Sequence, residues 1–163
     1  MQINLITEFQ AMDVTRICGV KRNRLQTWME HGWITPSIQK ASGHGTRNIF
    51  SIEDLYSIVL FKQVVESGIS RGVAAEFIPV VDSFLLSLRM KGIRRFTDPE
   101  DQARFEKSIS VACAFFRKEG KVFSSHMLSD AQSIIGIPDF AKADDVIVIN
   151  LERIIRVVDA KLS

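Results

Sequence analysis

The chain is poor in the residues that staple or interrupt a fold: its 163 residues hold 2 cysteines, 4 prolines, 2 tryptophans and a single tyrosine. Cys18 and Cys113 are too widely spaced for a zinc motif and too few for a disulfide framework. With no basic, apolar leader at the start, a reducing cytoplasm is the expected compartment. Long hydrophobic runs are also missing. Stretches such as residues 111–116 fall far short of the about 20 apolar residues that cross a bilayer, so no membrane association is expected.

A dominant charge is absent too, since 21 bases meet 19 acids for a net +2. Such a total says nothing about partners, and only its distribution can. No nucleophile motif and no phosphate loop is present. The carboxylate pairs Glu53/Asp54, Glu100/Asp101 and Asp144/Asp145 fall at expected helix starts or turns, where the helix dipole already accounts for them. His31 and His126 have no ligand-spaced partners and read as surface or core residues. Both cysteines read as small core residues. Neither an enzyme nor a cofactor nor a metal is therefore expected.

What the chain does have is a 46% hydrophobic composition, enough to bury a core, and a lopsided charge. Residues 14–50 hold Arg16, Lys21, Arg22, Arg24, Lys40 and Arg47 against one acid, Glu30. The same segment carries helical punctuation. Phe9 to Met12 lead into a short helix through Val14 and Ile17 that stops at Gly19, where positive φ costs glycine nothing. A second helix is expected over about 21–31 with Leu25, Trp28 and Met29 inward, Gly32 at the stop and Pro36 barring continuation. Residues 42–50 read as a β-hairpin. Ser51 and Asp54 form a capping-box-like start for a helix to Gly68, and Ser70 caps the next, which Pro79 is expected to interrupt before a further helix to Gly92.

The basic run at 91–95 and Thr97-Asp98-Pro99-Glu100 mark a boundary and a new helix start. Beyond it, residues 111–117 and 121–127 flank the turn Lys118-Glu119-Gly120 as a hairpin, and Val146 to Ile149 suggest a third strand. Asn150 caps a terminal helix whose stripe is Leu151, Ile154, Ile155, Val158 and Leu162. The expected fold class is mainly α with small β. It comprises an N-terminal module over 1–78, a helical connector over 79–96 and a C-terminal α+β module over 97–163, with a small antiparallel sheet and a terminal helix.

Over about residues 9–78 the chain resembles the MerR family of transcriptional regulators, which are winged helix-turn-helix proteins. The resemblance rests on Gly19-Val20, Leu25, Trp28, Gly32-Trp33-Ile34 and Pro36, then on Arg47, Phe50, Ser51 and Asp54, and on Gly68-Ile69-Ser70. Two departures stand out. The family's Arg-Tyr-Tyr run is here Gln26-Thr27-Trp28, and Pro79 and Gly92 cut the region where a long dimerising helix would lie.

The resemblance implies a second helix lying in the major groove of double-stranded DNA. Asn23 and Gln26 would face adenine edges, Arg22 or Arg24 would take guanine or phosphate, and Lys21 and Thr27 would take phosphates. From the wing, Lys40, His44 and Arg47 would follow the backbone or enter the minor groove, with a plain loop role for His44 equally open. The expected function is a sequence-specific transcriptional regulator acting as a homodimer, with a small-molecule or protein effector left open. Two alternatives remain. One is an excisionase-like or phage-packaging-type architectural DNA-binding protein. The other is a protein-interaction or ligand-binding scaffold that does not bind DNA.

Overall fold

The structure, a computed structural model, describes residues 8–92, 112–128 and 134–162. Among these, strand β1 (Phe9–Gln10) leads into helices α1 (Ala11–Cys18) and α2 (Arg22–Glu30). Strand β2 (Ile49–Phe50) precedes α3 (Ile52–Glu66) and α4 (Arg71–Gly92). Strands β3 (Ala112–Lys118) and β4 (Lys121–Leu128), two short 3-10 helices (Ile134–Gly136 and Pro138–Lys142), β5 (Asp145–Asn150) and α5 (Leu151–Leu162) complete the order. The fold is mainly helical with two small antiparallel sheets. By compactness it divides into Met1–Ile78 with Arg156–Ser163, and Pro79–Ile155.

In the first unit, α1 ends at Gly19, whose φ of 61° is left-handed and suits a residue without Cβ. Lys62 donates from Nζ to the Cys18 carbonyl at 3.4 Å, satisfying an acceptor that the helix end leaves free. Val20 is buried in the turn, as its place between two helices requires. Leu25 and Trp28, three residues apart on α2, are buried with Val14 and Ile17 of α1 and Leu55, Ile58 and Phe61 of α3. Trp28 meets Phe61 edge to face, with ring centroids 4.8 Å apart. The expected cap of α3 is present in both directions. The Asp54 amide donates to Ser51 Oγ at 3.2 Å, and the Ser51 amide donates to Asp54 Oδ2 at 2.8 Å. Buried Tyr56 has its hydroxyl satisfied at 2.7 Å by Asp159, 103 positions away in the chain.

Phe9 and Gln10, which lead into α1, pair with Phe50 and Ile49 as a two-stranded sheet, and the Gln10 amide donates to Asp13 at the start of α1. Two expectations need correction here. The hairpin expected at 42–50 has almost no ladder. It is closed by a reciprocal Gln39 and Ile49 pair at 3.1 and 2.8 Å, and beyond that pair side chains replace the missing strands. The Ala41 amide donates to Asn48 Oδ1 and the Ser42 amide to Thr46 Oγ1, each at 2.8 Å. Lastly, Pro79 does not end a helix, because α4 runs continuously for 22 residues with Pro79 inside it. Proline removes one amide donor, a loss that a long helix stabilised elsewhere can carry. The region is therefore not cut into short pieces.

In the second unit the sheet order is β4-β3-β5, all antiparallel. Central β3 is buried on both faces, since Cys113, Ala114, Phe115 and Phe116 are all inside. Ala114 and Phe116 pack with Leu128 and Ile137 on one of them. The hairpin turn holds Glu119 and Gly120 at φ 51° and 76°, the doubly left-handed geometry that matches strand twist. Asn150 caps α5 by accepting from the Arg153 amide at 3.1 Å, and Leu151, Ile154 and Val158 form its buried stripe. The expected helix start at 97–100 and the basic residues Arg94 and Arg95 lie outside the described residues.

Candidate nucleic-acid interface

With Leu25 and Trp28 anchored inward, the 100° step of a helix directs Asn23, Gln26, Thr27 and Glu30 outward, and all four are exposed. Lys21, Arg22 and Arg24 are exposed as well. Arg22 and Gln26 face a groove of about 390 Å³ lined also by Gln10, Met12, Met29 and Arg47. This groove gathers one cation from α2 and one from the loop after it. Arg47 is oriented by a 3.0 Å bond from Nη1 to Gln10 Oε1, a partner that the sequence alone did not nominate. Lys40 lines a second, smaller concavity of about 220 Å³ with Gln26 and Glu30. His44 sits at the exposed turn Gly43–Gly45.

Not all the nominated side chains are equally available. Asn23 Oδ1 accepts from the Arg24 amide at 3.0 Å, and Thr27 Oγ1 donates to the Asn23 carbonyl at 3.0 Å. Both oxygens are thus engaged by the helix's own backbone. Asn23 keeps its amide hydrogens as donors and a second lone pair on Oδ1, so two-point pairing with adenine would share that oxygen with the Arg24 amide. Arg24 leans away toward Glu66 of α3 at 3.9 Å, an exposed pair that salt screens. Gln26 donates from Nε2 to Glu30 at 2.9 Å, leaving its carbonyl oxygen without an intramolecular donor in that bond.

On the other flank, Trp33 stacks with two rings. His31 lies 4.5 Å away with planes 21° apart, and Phe61 lies 6.1 Å away. The Arg71 guanidinium sits 5.9 Å from the Trp33 ring centroid. His31 is thereby a surface stacking residue, and no group of three metal-binding side chains occurs among the described residues. Both thiols are buried and pushed up to about 12 by desolvation, which leaves them protonated at neutral pH.

His126 has hydrogen-bond partners that the sequence did not nominate. Its Nε2 lies 2.8 Å from Asp139 Oδ2 and 3.0 Å from Ser124 Oγ, while Ser124 Oγ donates to the same carboxylate oxygen at 2.6 Å. Ser124 and His126 alternate along β4, and Asp139 enters from a 3-10 turn 13 positions later, a proximity no local pattern encodes. A nucleophilic triad places serine and carboxylate on opposite ring nitrogens, whereas here both meet Nε2 and the serine proton goes to the carboxylate. The cluster therefore ties the 3-10 segment to the sheet. The Ser124 bond, then the His126 bond, hold the Asp139 carboxyl below its usual 3.8. A carboxyl lowered on folding adds stability above its unfolded value, and that stability is lost as pH falls through the folded one. Asp139→Asn is expected to be less stable than the wild type at neutral pH and to show a flatter acid dependence below about pH 4. Superimposable acid-unfolding curves from circular dichroism would contradict this.

No protein-family model matches the chain. The chain is similar to uncharacterised HTH-type transcriptional regulators of Mycobacterium bovis and Mycobacterium tuberculosis, at 26% identity over 62 residues. That stretch is 38% of this chain and 28% of each relative, so the chain spans little more than a quarter of the relatives it matches. In this chain α1 and α2, joined through Gly19, have the arrangement of a helix-turn-helix. No helix among the described residues is long and apolar enough to cross a membrane.

Proposed function

We propose that this chain is a sequence-specific DNA-binding transcriptional regulator of MerR-like winged type. Helix α2 reads the major groove, and the loop at 40–48 serves as the wing on the backbone or in the minor groove. The observation that carries the reading is the division of α2. Leu25 and Trp28 fasten it to the core, while Lys21, Arg22, Asn23, Gln26 and Thr27 are exposed, and Arg22 and Gln26 share one groove with Arg47. A merely solvated helix needs neither the basic segment nor the adjoining loop cation. The names of the mycobacterial relatives support the same role.

The protein acts without catalysis, and it engages DNA as a homodimer whose two-fold axis is mirrored in the site. The test is selection of duplexes from a randomised pool, followed by titration of the winner at two salt concentrations. A palindromic winner whose affinity falls steeply with salt is the expected result. Weak binding that ignores both sequence and salt would favour the interaction-scaffold reading.

A further inference from the structure

Within residues 14–50 the only acid, Glu30, stands on the outward side of the basic helix α2. A carboxylate facing a polyanion opposes binding, so its presence at that position calls for a specific task. Its neighbour identifies one. Gln26, four residues earlier and on the same side, donates Nε2 to Glu30 Oε1 at 2.9 Å.

An unsupported glutamine amide rotates freely and presents its donor and acceptor in either order. Held by Glu30, the amide has one N–H engaged, and its order is set. The carbonyl oxygen and the second N–H are left to the outside. That pair is the complement of adenine in the major groove, where N6 donates and N7 accepts. Asn23 offers the same pair less freely, because its oxygen already accepts from the Arg24 amide.

We infer that Glu30 is a positioning residue that orients Gln26 to read an adenine in each half-site. This inference rests on the DNA-binding reading above. Glu30 touches no base; it acts through Gln26, fixing which end of the amide faces the acceptor.

The experiment repeats the randomised-duplex selection with the full-length wild type, Gln26→Ala, Glu30→Ala and Glu30→Gln, each checked for helix content. The wild type is expected to require adenine at one half-site position. Gln26→Ala and Glu30→Ala should each relax that position, by a factor of roughly 5 to 100 in relative affinity. Glu30→Gln should largely restore it, because its carbonyl also accepts from Gln26. In a variant carrying both Gln26→Ala and Glu30→Ala the two effects should not multiply, since each substitution alone already removes the same adenine pairing. Three outcomes would overturn the inference: Glu30→Ala keeping the adenine preference, Glu30→Ala altering a different position, or Glu30→Ala changing affinity equally for all sequences. The last is what helix stabilisation or relief of charge repulsion alone would give. A wild type that enriches no sequence overturns the DNA-binding reading itself, and the two failures are thereby distinguishable.

Discussion

Trp28→Ala is expected to cost about 3–5 kcal/mol of stability, the range for removing a buried tryptophan. Against a total of roughly 5–15 kcal/mol for a domain, that leaves little margin. Trp28 is 1% exposed, packs edge to face on Phe61, and its carbonyl accepts from the Trp33 amide at 3.0 Å as the chain leaves α2. Losing the ring opens a cavity between α2 and α3 and frees the helix whose outer side is proposed to read DNA. Urea unfolding followed by circular dichroism gives the stability change, and a gel shift at a temperature where the variant is still folded gives the affinity. Trp28→Phe should lose less, since it keeps an aromatic edge against Phe61. A loss below about 1 kcal/mol for the alanine variant would mean that Trp28 is not the anchor of this helix.

The second large effect is electrostatic. Replacing Lys21, Arg22 and Arg47 together by alanine should weaken binding to every duplex alike and reduce the slope of log affinity against log salt by about three, nearly one for each phosphate no longer neutralised. Folding should be nearly unaffected, because all three side chains are exposed and surface changes of this kind cost little. Arg47 has a second task, since its bond to Gln10 Oε1 also ties the wing to the start of α1. Gln10→Ala should therefore lower the contribution of Arg47 without removing a charge. An unchanged salt slope in the triple variant would exclude these cations from the phosphate contacts.

Much of the first unit was legible from local chemistry. Gly19 needed positive φ, Ser51 and Asp54 bonded each other's amides, and Leu25 and Trp28 shared one helical side, so turn, cap and buried stripe followed from spacing. The hairpin through Glu119 and Gly120 and the Asn150 cap followed in the same way. Pro79 misled because a proline's local cost is real, yet neighbours along a 22-residue helix outweigh one missing donor. The loop at 40–48 misled for the opposite reason. Its glycine-rich composition suits a hairpin, but Asn48 and Thr46 satisfy the backbone that strands would have paired.

By itself the sequence determined which residues of α2 face inward, where its helix starts and stops, and that cations collect before position 50. These depend on neighbours within about four positions, the range over which helical period and capping operate. Tertiary structure alone decided the availability of those side chains. It set Arg47 against Gln10 across 37 positions, turned Arg24 toward Glu66, satisfied Tyr56 with Asp159, and brought Asp139 to His126 and Ser124. Side-chain hydrogen bonds of this kind join groups distant in sequence, and their partners exist only once packing has brought the elements together.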